Sequence, residues 1–333
     1  MNTWKRALLL CSVTFVFAAP ALADPIKLSY SNFFPPTHIQ SQLAEQWCQA
    51  VEAESGGAVQ IDYYPGGTLT KPKDCYDGVV QRISDIGLSA LGYTAGRFPV
   101  LSGVDLPVGY VSGVQATKVA NAVFAQFTPK EFDDVHVLYF HAHGPGKLHT
   151  TGKPVTHLED LSGMKIRATG NSASVISALG GSPVAMSMPD SYLSIQKGVV
   201  NGGIYPVETN KGWKMAEVVD FLTDTTAVAY TTTFFVVINK DVWASLPESV
   251  QEVMTKVSAQ WIPKHGQAWD ESDAEGLEFF LSQPGNAVVT LDEAETARWS
   301  AAMDPIFTKY EETCAKMGVD GKAVLAYLRE SMK

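Results

Sequence analysis

The segment Leu158-Glu159-Asp160-Leu161-Ser162-Gly163-Met164-Lys165-Ile166-Arg167 holds the pattern on which the fold prediction depends. Its last four residues predict a short strand, and residues 171–179, which begin at Asn171, predict a helix. Arg167 therefore stands at the carboxyl end of a strand and faces the start of a helix. A guanidinium in that position can hold a carboxylate through two parallel hydrogen bonds. The alternative interpretation is an ordinary surface arginine, which position alone favours.

Strand and helix patterns alternate on both sides of this segment. The predicted strands are residues 26–30, 59–64, 86–88, 135–140, 164–167, 183–186, 203–206 and 231–239. The predicted helices are residues 40–54, 73–83, 115–127, 171–179 and 190–197, followed by mostly helical stretches at 246–282, broken or bent near Pro263, and at 291–332. Residues 141–154 are predicted to form a loop. This rhythm indicates mostly parallel sheets covered by helices, in two α/β lobes joined by more than one crossing.

The first 23 residues have the three regions of a secretory signal peptide. Lys5 and Arg6 precede an apolar run over residues 7–19, and Ala21-Leu22-Ala23 supplies the small residues of a cleavage site. The run is shorter than the roughly 20 residues that span a bilayer. We therefore expect cleavage near Ala23, a mature chain that begins at Asp24, and an exported protein that is not embedded in a membrane.

Composition excludes several classes of function. The chain has 333 residues, of which 46% are apolar and 18% charged, and its formal net charge is −10. This balance is typical of a folded protein of about two domains. Nucleic-acid binding is not expected, because it needs a basic face that displaces counterions from phosphates.

The cysteines leave two alternatives open. Cleavage of the signal peptide would remove Cys11 and leave Cys48, Cys75 and Cys314. No spacing among them is typical of a zinc site. In an oxidising compartment, a Cys48–Cys75 bridge would close the shortest loop. The other interpretation is three buried thiols.

Catalytic motifs are absent from the sequence. It contains no nucleophile elbow, zinc-protease helix, phosphate-binding loop or dinucleotide fingerprint. Ser194 and Lys197 form a Ser-x-x-Lys pattern without its companion motifs, and a solvated helix face explains it. His141, His143 and His149 lie in a Gly/Pro-rich stretch that is too flexible for a metal site. We expect no enzyme activity, no cofactor and no metal.

Other residues suggest binding instead of chemistry. Residues 31–38 follow the first predicted strand and combine aromatic with hydrogen-bonding groups, among them Phe34 and His38. Tyr93, Tyr205 and Trp213 are further candidates for the wall of a cleft. Packing in the core is the alternative for each of these aromatic residues.

Five motifs, taken together, resemble one known family. They are Tyr64-Pro65-Gly66-Gly67-Thr68-Leu69, the segment 78–87 that ends Ile83-Ser84-Asp85-Ile86-Gly87, the segment 158–167 quoted above, Leu179-Gly180-Gly181-Ser182-Pro183-Val184, and Gly198-Val199-Val200-Asn201-Gly202-Gly203. In this order and spacing, the chain resembles the DctP-family solute-binding proteins of tripartite ATP-independent periplasmic (TRAP) transporters. The resemblance covers nearly the whole mature chain.

The resemblance implies an α/β fold of the type II-like periplasmic-binding-protein kind. Two lobes would be joined by hinge strands and bridged by a long helix, and they would close around one small organic acid. The implied first lobe comprises residues 24–146 and about 234–275. The implied second lobe comprises residues 147–233 and about 276–333.

The resemblance also implies site residues. The family's clamp arginine follows Asp-Leu-x-Gly-x-Lys-Ile and falls on Arg167, and a second basic residue would fall near Lys147. The position where the family often has a ligand-binding asparagine is Tyr205 here, which departs from the sugar-acid pattern. The remaining candidate ligand-binding residues are Phe34, His38, Tyr93, Asn171, Thr232 and Phe234.

Residues 31–38, Tyr205 and residues 231–235 would make the pocket less polar than one built for a sugar acid. Such a pocket favours a compact monocarboxylate, which would be an aromatic acid, a 2-oxo acid or a hydroxy acid. A sulfonate or a dicarboxylate is the alternative, because Arg167 would hold either anion. The implied partners are the membrane permease subunits of a TRAP transporter, driven by an ion gradient in place of ATP. A periplasmic monomer is expected, with a dimer and a sensory binding protein as open alternatives.

Overall fold

Two β-sheets organise the chain in the computed structural model, which describes residues 24–94 and 96–333. The predicted signal peptide lies outside the described residues. Numbered along the chain, the described strands are β1 (Ile26–Asn32), β2 (Val59–Tyr64), β3 (Ile86–Ala90), β4 (Val135–Ala142), β5 (Lys147–Thr150), β6 (Lys165–Ala168), β7 (Ser182–Ala185), β8 (Gly202–Tyr205), β9 (Phe221–Asp224), β10 (Thr233–Asn239) and β11 (Ala287–Thr290).

Helices cover the sheets and link their strands. In the same numbering they are α1 (Ile39–Glu54), α2 (Cys75–Val80), α3 (Gly113–Phe127), α4 (Asn171–Ala178), α5 (Ser191–Gln196), α6 (Thr209–Gly212), α7 (Lys240–Ser245), α8 (Glu248–Ser282), α9 (Glu293–Ala301), α10 (Asp304–Lys316) and α11 (Gly321–Ser331). Within the described part of the chain, no helix is both long and apolar enough to cross a membrane.

The first sheet has the strand order β2-β1-β3-β10-β4. Strand β1 pairs in parallel with β2 and β3, whereas β10 is antiparallel to both of its neighbours. Every residue of β10 is buried. Val236 and Ile238 pack on one face of the sheet, and Phe235 and Val237 on the other. This continuous apolar run is what a central strand covered on both faces requires.

The second sheet has the order β11-β9-β5-β8-β6-β7. It is mixed, because β5 is antiparallel to β8 and β9 while β6 is parallel to β7 and β8. The prediction of a loop over residues 141–154 was therefore wrong, since β5 lies inside it. Strands β9 and β11 were also not predicted. All three have four residues, too few to show an alternating pattern.

We call the part of the protein that contains the first sheet the first lobe, and the part that contains the second sheet the second lobe. The described chain passes from one lobe to the other three times. Two crossings are residues 143–146, between β4 and β5, and residues 225–232, between β9 and β10. The third is α8, which packs on α1, α3 and β4 of the first lobe and on α6 and β11 of the second. Its 35 residues extend about 52 Å. Of the break or bend predicted near Pro263, the break does not occur, because the helix continues through that residue.

The two candidate disulfide cysteines are both free and buried. Cys48, on α1, packs in the core on one face of the first sheet, whereas Cys75 begins α2 in the core on the other face. The Cys75 thiol donates to the carbonyl oxygen of Leu88 at 3.6 Å. The sheet separates the two sulfur atoms, so the predicted Cys48–Cys75 bridge is not formed. The residue boundaries of the lobes stay a prediction. Helix α11 falls in the predicted second lobe, but it contacts α3 of the first lobe.

Candidate ligand-binding site

A narrow cavity lies where the two lobes meet. Loops that follow the strands of both sheets supply most of its wall, and α8 supplies one residue. The lining residues are Phe33, Phe34, Tyr93, His143, Arg167, Thr169, Met188, Tyr205, Pro206, Glu208, Thr209, Trp213, Tyr230, Thr232, Phe234 and Trp269.

Arg167 supplies the cavity's positive charge. It lies on β6, opposite Val184 of β7 and Gly203 of β8. The side chain is 3% exposed, and its Nε donates to the carbonyl oxygen of Met186 at 3.1 Å. In the described part of the chain, no carboxylate forms an ion pair with it. Because an unpaired buried charge is costly, this guanidinium favours an anion in the cavity.

Three tyrosine hydroxyls surround Arg167. Burial raises the pKa values of Tyr93, Tyr205 and Tyr230, and the positive charge of Arg167 partly opposes this shift. All three therefore keep their proton near neutral pH. The Tyr93 hydroxyl accepts from the backbone N–H of Met188 at 3.0 Å. The Tyr205 hydroxyl is buried and has no partner in the described residues. It is thus an unsatisfied donor on a residue that lines the cavity.

Aromatic rings form the apolar part of the wall. Phe234 stacks on Trp269 with ring centroids 5.4 Å apart, and Phe33 stacks on Trp213 at 6.3 Å. Phe34 lies between these pairs, 5.4 Å from Phe234 and 6.1 Å from Trp213. Flat rings favour a planar apolar ligand body, which they can contact by stacking or edge-on.

A buried acidic group marks another edge of the cavity. Oε2 of Glu208 lies 3.0 Å from Nε2 of His38, and this contact joins the two lobes. The backbone N–H of Glu208 donates to Asp273 of α8 at 2.8 Å. Burial and the nearby charges of Glu208 and Asp270 raise the pKa of Asp273 to about 8. This edge of the cavity is therefore unfavourable for a second anionic group.

The lobes are in direct contact beside Arg167. The Thr169 hydroxyl of the second lobe donates to the carbonyl oxygen of Gly92 in the first lobe at 2.8 Å. Gly170 has φ of +51°, and a Cβ added to it would lie 2.8 Å from the Cα of Gly92. Only glycine satisfies both the conformation and the close approach. The two lobes therefore touch beside Arg167, and the contact leaves no room for a side chain at position 170.

Six of the nine predicted ligand-binding residues line the cavity; these are Phe34, Tyr93, Arg167, Tyr205, Thr232 and Phe234. The other three do not. The His38 side chain contacts Glu208 from outside the cavity. Asn171 donates to the carbonyl oxygen of Ser102 at 2.6 Å and lines a separate cavity.

Lys147 does not line the cavity because it pairs with another residue. The register of β5 and β9 brings it beside Asp224, and the two form an ion pair. Its Nζ also donates to the Thr226 hydroxyl at 3.2 Å. Its charge is thus compensated within the second lobe. Arg167 is the sole cationic residue among those that line the cavity in the described part of the chain.

Sequence reasoning missed several lining residues. Met188, Glu208, Tyr230 and Trp269 carry no local motif, and each reaches the cavity through a different element. His143 was considered only as a metal ligand. No group of three or more His, Cys, Asp or Glu residues able to hold a metal occurs in ranges 24–94 and 96–333.

A known family matches most of the chain. The sequence profile of DctP, described as bacterial extracellular solute-binding protein, family 7, matches residues 30–313. The C4-dicarboxylate-binding periplasmic protein DctP of Rhodobacter capsulatus is 24% identical over 320 residues, which are 93% of this chain and 92% of that protein.

Solved structures of TRAP solute-binding proteins have the same fold. One from Desulfovibrio salexigens, an open complex with the C-terminus of a symmetry mate in its ligand-binding site, is 32% identical with a TM-score of 0.81, covering 93% of this chain and 96% of that one. One from Rhodoferax ferrireducens with copurified benzoate is 27% identical, with a TM-score of 0.87. The match covers 92% of this chain and 97% of that one.

A third TRAP solute-binding protein structure, from Bordetella bronchiseptica with bound (R)- and (S)-mandelate, is 27% identical, with a TM-score of 0.86. The match covers 92% of this chain and 99% of that one. The match to the family profile spans more than half of the chain, and the two-lobed fold with its long helix is shared. The chain therefore belongs to the DctP family of TRAP transporter solute-binding proteins, a family of periplasmic transport proteins and not of enzymes.

Proposed function

We propose that this protein captures a compact monocarboxylic acid in the periplasm and delivers it to the membrane permease of a TRAP transporter. The observation that carries the proposal is the Arg167 guanidinium, which is buried in the cavity with no acidic partner in the described residues. A ligand carboxylate would supply the missing charge through a charge-assisted, two-point contact. The unpartnered Tyr205 hydroxyl is a further donor for the same group.

The charges around the cavity favour one carboxylate over two. Lys147, the predicted second cation, is paired with Asp224. Glu208 lines the cavity and would repel a second carboxylate. For this reason we place the ligand nearer to the benzoate and mandelate of the structural neighbours than to the C4-dicarboxylates for which the Rhodobacter relative is named.

The aromatic wall favours a ligand with a flat or apolar body, so the proposed class is an aromatic, 2-oxo or hydroxy acid. Arg167 of the second lobe would bind the carboxylate first. Phe34 and Tyr93 of the first lobe would then cover the other end. Closure excludes water and strengthens the ionic contact, and it is favoured only by contacts that the open form lacks. The protein would be exported after cleavage near Ala23 and would act as a monomer.

A ligand panel tests this proposal. Purified mature protein is unfolded, freed of bound ligand and refolded, and its Tm is recorded with benzoate, mandelate, succinate, an aromatic sulfonate and glucuronate. A ligand at one hundred times its Kd stabilises the folded state by about 2.7 kcal/mol. We expect benzoate or mandelate to raise Tm, and chromatography to recover the acid unchanged. A rise with succinate or with the sulfonate alone would overturn the monocarboxylate proposal.

A further inference from the structure

His143 is a cavity residue to which no role has yet been given. It lies in residues 143–146, the crossing between β4 and β5, and it is buried. Its ring sits among those of Tyr230, Trp269 and Phe234, with centroids 5.7, 6.0 and 6.3 Å away. Backbone bonds fix the residue, because its N–H donates to Thr232 and its carbonyl oxygen accepts from the Thr231 hydroxyl at 2.6 Å.

One hydrogen bond determines which ring nitrogen of His143 carries the hydrogen. Its Nδ1 lies 2.5 Å from the carbonyl oxygen of Gly144. A carbonyl oxygen can only accept, so Nδ1 must donate. Burial, assisted by the charge of Arg167, lowers the pKa of His143 to about 4, and the ring is therefore neutral near pH 7. It follows that Nε2 has a lone pair and no hydrogen.

That lone pair has no protein donor. In the described residues, no hydrogen bond is formed to Nε2 of His143, and Nε2 is not among the fully enclosed polar atoms that lack a partner. Since the residue lines the cavity, the open acceptor faces ligand space. The cavity thus offers donors at Arg167 and Tyr205, and it offers a neutral acceptor at His143.

We propose that Nε2 of His143 accepts a hydrogen bond from a hydroxyl group of the ligand, and that this contact selects hydroxy acids over the corresponding 2-oxo acids. The inference rests on the proposed function, within which it narrows the ligand class. A hydroxyl is a neutral donor and complements the lone pair. An oxo oxygen has only lone pairs and would face another lone pair. An unsubstituted methylene would leave Nε2 desolvated without a partner.

The test compares three acids that differ at one carbon. Mandelate carries a hydroxyl there, benzoylformate an oxo group and phenylacetate two hydrogens. A second set, 3-hydroxybenzoate against 3-methoxybenzoate, presents the donor on the ring. Isothermal titration calorimetry at pH 7.5 should show, in at least one set, about tenfold or tighter binding of the hydroxy acid than of its partners.

Variants assign this preference to His143. His143→Asn keeps a donor near the position of Nδ1 but removes the Nε2 acceptor, so the preference should fall to about twofold or less. His143→Gln places an amide oxygen near the position of Nε2 and should restore part of it. His157→Asn, at an exposed histidine, is the matched control and should bind like the wild type. Melting curves show that each variant is folded.

The outcomes separate the two proposals. If none of these acids binds the wild-type protein, both the monocarboxylate proposal and this inference are overturned. If the acids bind but the hydroxy acids have no advantage, or if the advantage persists in folded His143→Asn, the role of His143 is overturned and the proposed function stands.

Discussion

Replacing Arg167 with methionine should remove most of the binding energy for the ligand. The guanidinium is 3% exposed, so solvent screens its contact with a ligand carboxylate very little. Methionine fills similar space without charge and would leave the carboxylate buried and unpaired. Loss of one partner from a buried, hydrogen-bonded charge pair costs about 2–5 kcal/mol. The expected Kd is therefore roughly 30- to 5,000-fold weaker.

Calorimetry with the tightest acid of the panel measures this loss. Arg329→Met is the matched control, because Arg329 is exposed and lies 5.2 Å from the ring of Phe307 on α10, in a helical pair at the surface. It should bind the acid like the wild type. The fold of Arg167→Met is checked by circular dichroism and Tm. A folded Arg167→Met protein that binds within threefold of the wild type would refute the assignment of Arg167 as the anion clamp.

Three further predictions concern closure, pH and thiols. Gly170→Ala should weaken ligand binding and leave the liganded protein more expanded in small-angle X-ray scattering, because the new Cβ would meet the facing backbone of the first lobe. Since the folded pKa of Asp273 is raised to about 8 above its usual 3.8, stability should fall as pH rises between about 4 and 8. Asp273→Asn should remove up to about 1.4 kcal/mol of that decline per pH unit. Ellman's reagent should find three thiols in the unfolded mature chain and essentially none before unfolding, because all three cysteines are buried.

Each of these has a control and a contradicting result. Gly163→Ala, at a glycine of positive φ with open space around it, reproduces the backbone strain without the clash and should still close. Equal scattering from liganded Gly170→Ala and wild type would contradict the closure argument. Parallel stability–pH curves for Asp273→Asn and wild type would show that its carboxyl titrates normally. One thiol after unfolding without reductant would reveal a disulfide.

Local patterns predicted the strand that holds Arg167, and the family resemblance implied the role of this residue, but neither predicted its surroundings. The strand, the following helix and the clamp motif lie within about twenty consecutive residues, so their relation is visible in the sequence. Trp269 reaches the same cavity from α8, about one hundred residues away. Nothing near Trp269 indicates whether it faces the ligand or the core, because both environments favour an aromatic ring.

Lys147 shows why residue type alone does not predict which side chains line a cavity. The family resemblance implied a second basic residue near Lys147, but the Lys147 side chain does not line the cavity. Its partner Asp224 becomes visible only when the antiparallel register of β5 and β9 is known. Strands of four residues carry too little pattern to predict that register. The same limit affected the cysteines, since loop length ignores the sheet that lies between Cys48 and Cys75.

The position of β10 in the first sheet has a consequence for how the chain acquires its structure during export. This strand lies between β3 and β4 but follows them by more than ninety residues, after nearly all strands of the second sheet. Until it emerges, β3 and β4 each lack a neighbour, and their unpaired edges are exposed to other chains. The first lobe therefore cannot complete itself ahead of the second. We expect nascent chains to depend on chaperones that bind unfolded segments until residue 239 has emerged. We also expect the two lobes to gain their stability together.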